Sequence, residues 1–227
     1  MLGVIVNFAT VVVGGTVGTL IKGGLKEKYS VLINQGLDLC VILIGVMGAL
    51  KTENTLLMII SVVIGAVIGT LIGIEEAVDR LGTAAQKRLK KGGFADGFVS
   101  ATLLFSIGSM AVVGSLNAGM GDSSTLLAKS ALDGVSSVII AANFGIGTAF
   151  AAVPMTIYQG LIALLSGLIK PYLSDAALIE MNAIGSLLIL GIGLNMLKMT
   201  KIKVANLLPA MFVPCVYYPL AGFLGLL

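Results

Sequence analysis

Of the 227 residues, 57% are hydrophobic and only 11% charged, with a net charge of +3. Soluble domains carry about 25% charged residues, so the composition describes an integral membrane protein with room for about eight spans of roughly 20 residues each and no soluble domain beside them. The absence of histidine excludes His-metal sites, histidine-ligated haem and Ser-His-Asp hydrolases. Neither an enzyme nor a cofactor nor a metal site is expected.

The apolar runs predict eight helices, at about 2–21, 34–50, 55–74, 96–117, 126–151, 154–169, 179–197 and 205–226. The amino terminus, Met1-Leu2-Gly3-Val4-Ile5, lacks a basic n-region and an evident cleavage site, so it reads as a retained helix. Gly14-xxx-Gly18 in this helix, and Gly65-xxx-Gly69-xxx-Gly73 in the third, are small-residue ridges suited to close helix contact, within the chain or across a homodimer. Asp38 lies one turn into the second helix, behind Asn34 and Gln35. Leu39 to Leu50 alone is too short to span, which places Asp38 within the membrane boundary as a candidate proton or sodium ligand. Glu75 to Lys91 reads as a helical extension with Glu76 and Arg80 four apart; its basic end, Lys87-Arg88-Leu89-Lys90-Lys91, suits a solvated anchor, a regulator or lipid headgroups.

The stretch from Phe94 to Tyr158 is the most polar and glycine-rich. Shifted by 37 residues it overlays itself: Asp96 on Asp133, Gly97 on Gly134, Ser100 on Ser137 and Gly108 on Gly145. Carboxylates and amides at membrane depth are costly, and their usual place is a cavity that handles a solute. Asp96 suits a helix N-cap. Asp133 lies two turns inside the fifth helix, out of capping range, with Lys129 one turn before it as the natural ion-pair partner. Asn143 falls mid-span beside Gly145 and Gly147, and its repeat partner Ser106 stands beside Gly108 and Ser109 in the same way. Gly114 to Ser124 reads either as an external loop, with Asp122 or a serine capping the next helix, or as an unwound segment lining a solute route. Gln159 and Tyr158 give the sixth helix a polar handle, and Pro209, Pro214 and Pro219 should kink the last. Cys40 and Cys215 lie in apolar runs and suggest no disulfide.

With eight spans, one side holds Lys22, Lys26, Lys28, Arg80, Lys87, Arg88, Lys90, Lys91, Lys198, Lys201 and Lys203, the other only Lys51, Lys129 and Lys170. The bias makes the first side cytoplasmic and puts both termini outside. A second overlay, Leu20-Ile21-Lys22 on Leu168-Ile169-Lys170 and Leu50-Lys51 on Leu197-Lys198, relates helices one to three to helices six to eight. The chain then reads as two halves of inverted topology, 1–75 and 154–227, flanking a polar, broken central pair at 94–153 in a single membrane domain.

Across Ser106-Ile107-Gly108-Ser109-Met110-Ala111-Val112-Val113-Gly114-Ser115, Gly121-Asp122, Lys129-Ser130-Ala131-Leu132-Asp133-Gly134 and Tyr158-Gln159-Gly160, the sequence resembles the bacterial YqgA/YdfK-like family of membrane proteins of unknown function. The resemblance implies a multi-span protein of the bacterial inner membrane and brings no substrate or functional residue with it. The residues themselves lead to an expected secondary transporter for a small polar solute, an amino acid or organic acid. Ser106, Gly108, Ser109, Asn143, Gly145, Gly147 and Gln159 would bind it, and Asp133 or Asp38 would take a coupling proton or sodium ion. The partners expected are that solute and membrane lipid, with no nucleic acid. A passive channel, or a non-transporting membrane scaffold or regulator, are the alternatives.

Overall fold

The computed structural model describes residues 1–24, 27–89, 94–107, 109–169 and 173–224. Among them there is no strand. The helices are α1 (Leu2–Gly24), α2 (Glu27–Ala49), α3 (Thr55–Ile72), α4 (Ile74–Leu89), α5 (Phe94–Ser106), α6 (Ser109–Gly119), α7 (Ser124–Phe144), α8 (Gly147–Phe150), α9 (Ala152–Leu164), α10 (Ser166–Ile169) and α11 (Asp175–Met196). A 3-10 helix, Val204–Phe212, leads into α12 (Val213–Phe223).

Six described helices are long and apolar enough to cross a membrane: Leu2–Lys22, Thr55–Ile72, Ser124–Phe144, Gly147–Leu164, Asp175–Met196 and Val204–Phe223. The pair α5 and α6, bent by 66°, makes a seventh if it counts as one span. In α2 the apolar part is the shorter stretch Asp38–Ala49. Exposed Ile59, Ile60, Val63, Val67, Leu71 and Ile72 on α3 form the kind of face that only lipid accommodates.

Several boundaries differ from expectation, and α2 begins at Glu27 where the sequence suggested 34, which sets Asp38 about three turns into it and not one. The predicted helix 126–151 stops at Phe144, because Gly145 adopts φ 86° and ψ −156°, a conformation open essentially to glycine alone. The next span therefore begins at Gly147, and Asn143 stands at the end of α7 instead of mid-span. The predicted helix 96–117 is two helices, and its bend falls between Ser106 and Ser109. Gly114 is helical within α6, so the unwound reading of 114–124 does not hold before the turn at 120–123. There Asp122 accepts from the Ser124 backbone N–H at 2.9 Å, one residue ahead of the N-cap Ser123, whose side chain makes no capping hydrogen bond. At the last span, the nine-residue 3-10 helix carries Pro209, and Pro214 and Pro219 sit in α12, in line with the expected departure from a straight α-helix.

The chain divides into two compact units, the first comprising Met1–Leu37, Glu76–Ser106 and Met110–Gly167. In this unit α1 lies along α7 in parallel: Gly3 meets Leu126, Gly14 meets Gly134 and Ser137, and Gly18 meets Val138 and Ala141. A Cβ at Gly14 or Gly18 would collide with a carbonyl oxygen of α7, so these glycines set the closeness of the pair. Val11, Ala101, Phe105, Ile140, Ala152 and Met155 form its core, and Phe94 stacks on Phe98 and meets Phe150 edge-on.

The second unit comprises Asp38–Glu75, Ile107–Ser109 and Leu168–Leu227. Here Gly65 and Gly69 of α3 pack on Ala210 and Asn206, antiparallel to the 3-10 helix, and Gly45 and Gly48 of α2 pack on Leu190 and Ser186 of α11. Gly73 ends α3 at φ 72°, so α4 is a separate helix and not a continuation of it. Both glycine ridges are thus filled within the chain, which removes them as an argument for a second copy. The side chains of the basic run at 87–91 lie outside the described residues.

Candidate functional site

Within the first unit, α7 places Lys129 and Asp133 one turn apart on the face covered by α1 and α9. The ammonium Nζ of Lys129 lies 2.7 Å from Asp133 Oδ1 and 2.6 Å from Oδ2. Both residues are 6% exposed. Lys129, the ion-pair partner expected from its spacing, is therefore a buried helix residue and does not belong in a tally of loop charges. Held this closely, the pair is a charge-assisted contact in which the ammonium covers both carboxylate oxygens.

From α1, Asn7 Nδ2 donates to Asp133 Oδ2 at 3.0 Å and to Gln159 Oε1 of α9 at 3.2 Å, and lies 3.6 Å from Met155 Sδ. Asn7, Gln159 and Met155 are wholly buried. The carboxylate fixes both amides: an ionised Asp133 can only accept, so Asn7 must turn its NH₂ toward it, and Gln159 must then turn its oxygen toward Asn7. The consequence is that Asn7 Oδ1 and Gln159 Nε2 have no partner among the described residues. One buried acceptor and one buried donor thus remain open beside a neutralised charge pair.

Of the residues singled out in the sequence, the structure brings Asp133 and Gln159 together, through Asn7. Ser106 ends α5 and is 8% exposed. Gly108, and the side chain of Ser109, lie outside the described residues. The Asn143 carbonyl accepts from Lys22 Nζ at 2.6 Å, ten residues, or about 15 Å of helix, beyond Asp133. Gly145 makes the break, and Gly147 opens α8 against the Phe94 carbonyl. Asp38 is 4% exposed and belongs to the second unit. Asp96 is exposed in the first turn of α5, the position where a carboxylate suits the positive helix end; it is not placed like the buried Asp133, although the two overlay in sequence.

Asn7 was missed, yet its signal was there: a lone amide in the run Ile5-Val6-Asn7-Phe8-Ala9 needs a partner. Glu180 was missed as well. Wholly buried on α11, its carboxylate accepts from Thr52 Oγ1 at 2.6 Å and from the backbone N–H groups of Glu53 and Asn54 at 2.7 and 2.8 Å. Those donors belong to the turn that starts α3, so Glu180 acts as a cap supplied from another helix. Asn206 and Glu75 clasp the far end of α3 likewise: the Glu75 N–H donates to Asn206 Oδ1, and the Ala205 N–H to Glu75 Oε2, each at 2.8 Å.

The family model "Protein of unknown function (DUF554)" matches residues 2–219, and the chain belongs to that family. It is 31% identical over 219 residues to the uncharacterized membrane protein YdfK of Bacillus subtilis (strain 168), covering 94% of each chain. It is 29% identical over 221 residues to the uncharacterized protein YqgA of Escherichia coli (strain K12), again over 94% of each. No solved structure matches.

Proposed function

We propose that this member of the family is a secondary transporter for a small polar solute of the amino acid or organic acid class, working across the bacterial inner membrane. The observation that carries the reading is the cluster of Asn7, Lys129, Asp133 and Gln159: two opposite charges and two amides, buried between apolar helices, with one acceptor and one donor left open. Burial of that set costs several kcal/mol that hydrophobic residues of like size would not, so the cluster fits a binding role better than a packing role. Gln159 then contacts the solute and Asp133 takes the coupling proton or sodium ion, with Asp38 as a second acidic group at membrane depth. Ser106, Gly108, Ser109, Asn143, Gly145 and Gly147 remain in this reading as further solute-binding residues; Ser106 ends α5, and Asn143, Gly145 and Gly147 lie at the break after α7.

Helix directions support the eight-span, two-ended arrangement in this reading. Contacts run in parallel between α1 and α7, and antiparallel between α3 and the last span. If each of the six long helices crosses, an even number of crossings must separate α3 from the last span. α7, α9 and α11 give three, so the bent α5–α6 pair is needed as a fourth. An odd number must then separate α1 from α7; α3 and α5–α6 give two, and α2 makes three. Six plus these two is eight. Inverted halves, and a cytoplasmic face rich in lysine and arginine, belong to the same reading.

The test is uptake by the reconstituted protein of labelled amino acids and organic acids under imposed proton or sodium gradients. Saturable, gradient-driven uptake lost in Asp133→Asn is the expected result. Non-saturating flux that only follows the solute gradient would make the protein a channel, and full coupled uptake by Asp133→Asn would remove Asp133 as the coupling residue.

A further inference from the structure

We propose that Lys129 is the ligand for a solute carboxylate, and that a proton taken up by Asp133 releases it, so that the cluster accepts a monocarboxylate together with one proton. The inference rests on the transporter reading above and names its substrate class and coupling ion.

The Lys129 ammonium is the cation of the cluster, and it lies on both oxygens of Asp133. A buried charge left unpaired costs several kcal/mol, so Lys129 can turn to a second carboxylate only when the charge on Asp133 is cancelled. A metal cation is poorly placed to cancel it. The Lys129 ammonium lies on both carboxylate oxygens and its charge repels a metal ion there, whereas a proton needs no coordination shell. The charges balance. Before uptake the cluster holds Lys129⁺ and Asp133⁻; afterwards it holds Lys129⁺, neutral Asp133 with the proton on one carboxyl oxygen, and the solute carboxylate. Both states are neutral. An amino acid would bring an ammonium group as well, and the cluster has no second carboxylate to meet it.

The two amides accommodate the protonated state. As observed, Asn7 Nδ2 serves Asp133 Oδ2 and Gln159 Oε1, while Asn7 Oδ1 and Gln159 Nε2 stand open. A half-turn of both amides places Asn7 Oδ1 between the new Asp133 O–H and Gln159 Nε2. The same two contacts then form with reversed polarity, so each protonation state keeps both of them and leaves one donor and one acceptor open.

The other titratable groups on the elements around α7 are Lys22, the Met1 amine, Asp96, Asp122 and Tyr158. Lys22 of α1 binds the Asn143 carbonyl, and the Met1 amine the Ala118 carbonyl. Asp96 of α5 is exposed, as is Asp122 ahead of α7. α8 carries no titratable group, and Tyr158 of α9 adjoins Gln159 in sequence.

Infrared difference spectra of the protein in phosphatidylcholine vesicles test the proposal, recorded as pH is lowered in sodium-free buffer with acetate, L-lactate, succinate or acetamide added. The expected result is a protonated-carboxyl band absent in Asp133→Asn, whose pH midpoint rises on adding acetate or lactate, by about one unit per tenfold coupling. Acetamide and sodium should leave it in place. Lys129→Gln should keep the band and lose the carboxylate effect, and Asp133→Asn should bind lactate with no pH dependence. A band that moves with sodium or acetamide, or that neither monocarboxylate moves, overturns the proposal. If Asp133→Asn does not fold, Lys129→Gln decides alone. A lactate-shifted band without vesicle accumulation would leave this site standing and end the transporter reading. Coupled flux of a neutral solute, or flux driven by sodium, would do the reverse.

Discussion

Removing one partner of the Lys129–Asp133 pair should cost far more than removing both. The pair is 6% exposed on each side with contacts of 2.6 and 2.7 Å, and stranding one buried charge costs about 3–5 kcal/mol. Lys129→Met leaves the Asp133 carboxylate with only the Asn7 amide, and Asp133→Leu leaves the ammonium without a counter-charge. The double variant removes both charges and fills the space with apolar atoms, and should fall near the parent or above it. The two single losses would then exceed the double loss by an interaction energy of several kcal/mol, well above the ~0.5 kcal/mol within which independent sites add. The assay is reversible unfolding in mixed detergent micelles, followed by helix content, for the four proteins of the cycle. Simple additivity, or singles that lose less than about 1 kcal/mol, would mean that water reaches the pair, and the reasoning from burial would fail.

Gly14→Leu should separate α1 from α7, since even a Cβ collides with Ser137 and the Gly134 carbonyl. Overpacking costs about 1–3 kcal/mol or more, and a large fall in folded yield on size-exclusion chromatography is expected, against little change for Gly160→Ala, where a Cβ meets open space. Glu180→Ala removes the acceptor of the Thr52 hydroxyl and of the Glu53 and Asn54 N–H groups, and leaving those donors unpaired should cost about 1–3 kcal/mol, which unfolding and faster amide exchange at Glu53 and Asn54 would reveal. Gly145→Ala forces a side chain into a glycine-only conformation, and about 1–3 kcal/mol of strain should lower the melting temperature. Asp122 is held below the usual carboxylate range by the Ser124 N–H. Its contribution is present above the unfolded-state pKa and lost as pH falls through the lower folded value, so protection of the Ser124 amide relative to its intrinsic exchange rate should fall in acid, and should not change with pH in Asp122→Ala.

Much of the architecture was legible because it follows from solvent. In lipid a helix must satisfy its own backbone, so long apolar runs located α1, α3 and α11 with small errors at their ends. Errors gathered where polarity or glycine interrupts a run. Gly145 ended α7 seven residues early because positive φ depends on local packing, and two glycines in a row of small residues look alike in sequence. The ion pair was legible for a related reason: spacing by four on one helix is local geometry. That α1, more than 120 residues away, would bring Asn7 to it was not.

Composition alone therefore determined the membrane class and the helical content, and local spacing determined the Lys129–Asp133 pair, since both rest on chemistry within one helix. Tertiary structure decided which helix faces which. It took Asn7 from an apolar run and set it on Asp133, set Gln159 from the sixth predicted helix on Asn7, and turned Glu180 into the cap of another helix. Those contacts depend on glycine-sized gaps between distant segments, and the depth of each gap is a property of two surfaces together that neither sequence segment carries by itself.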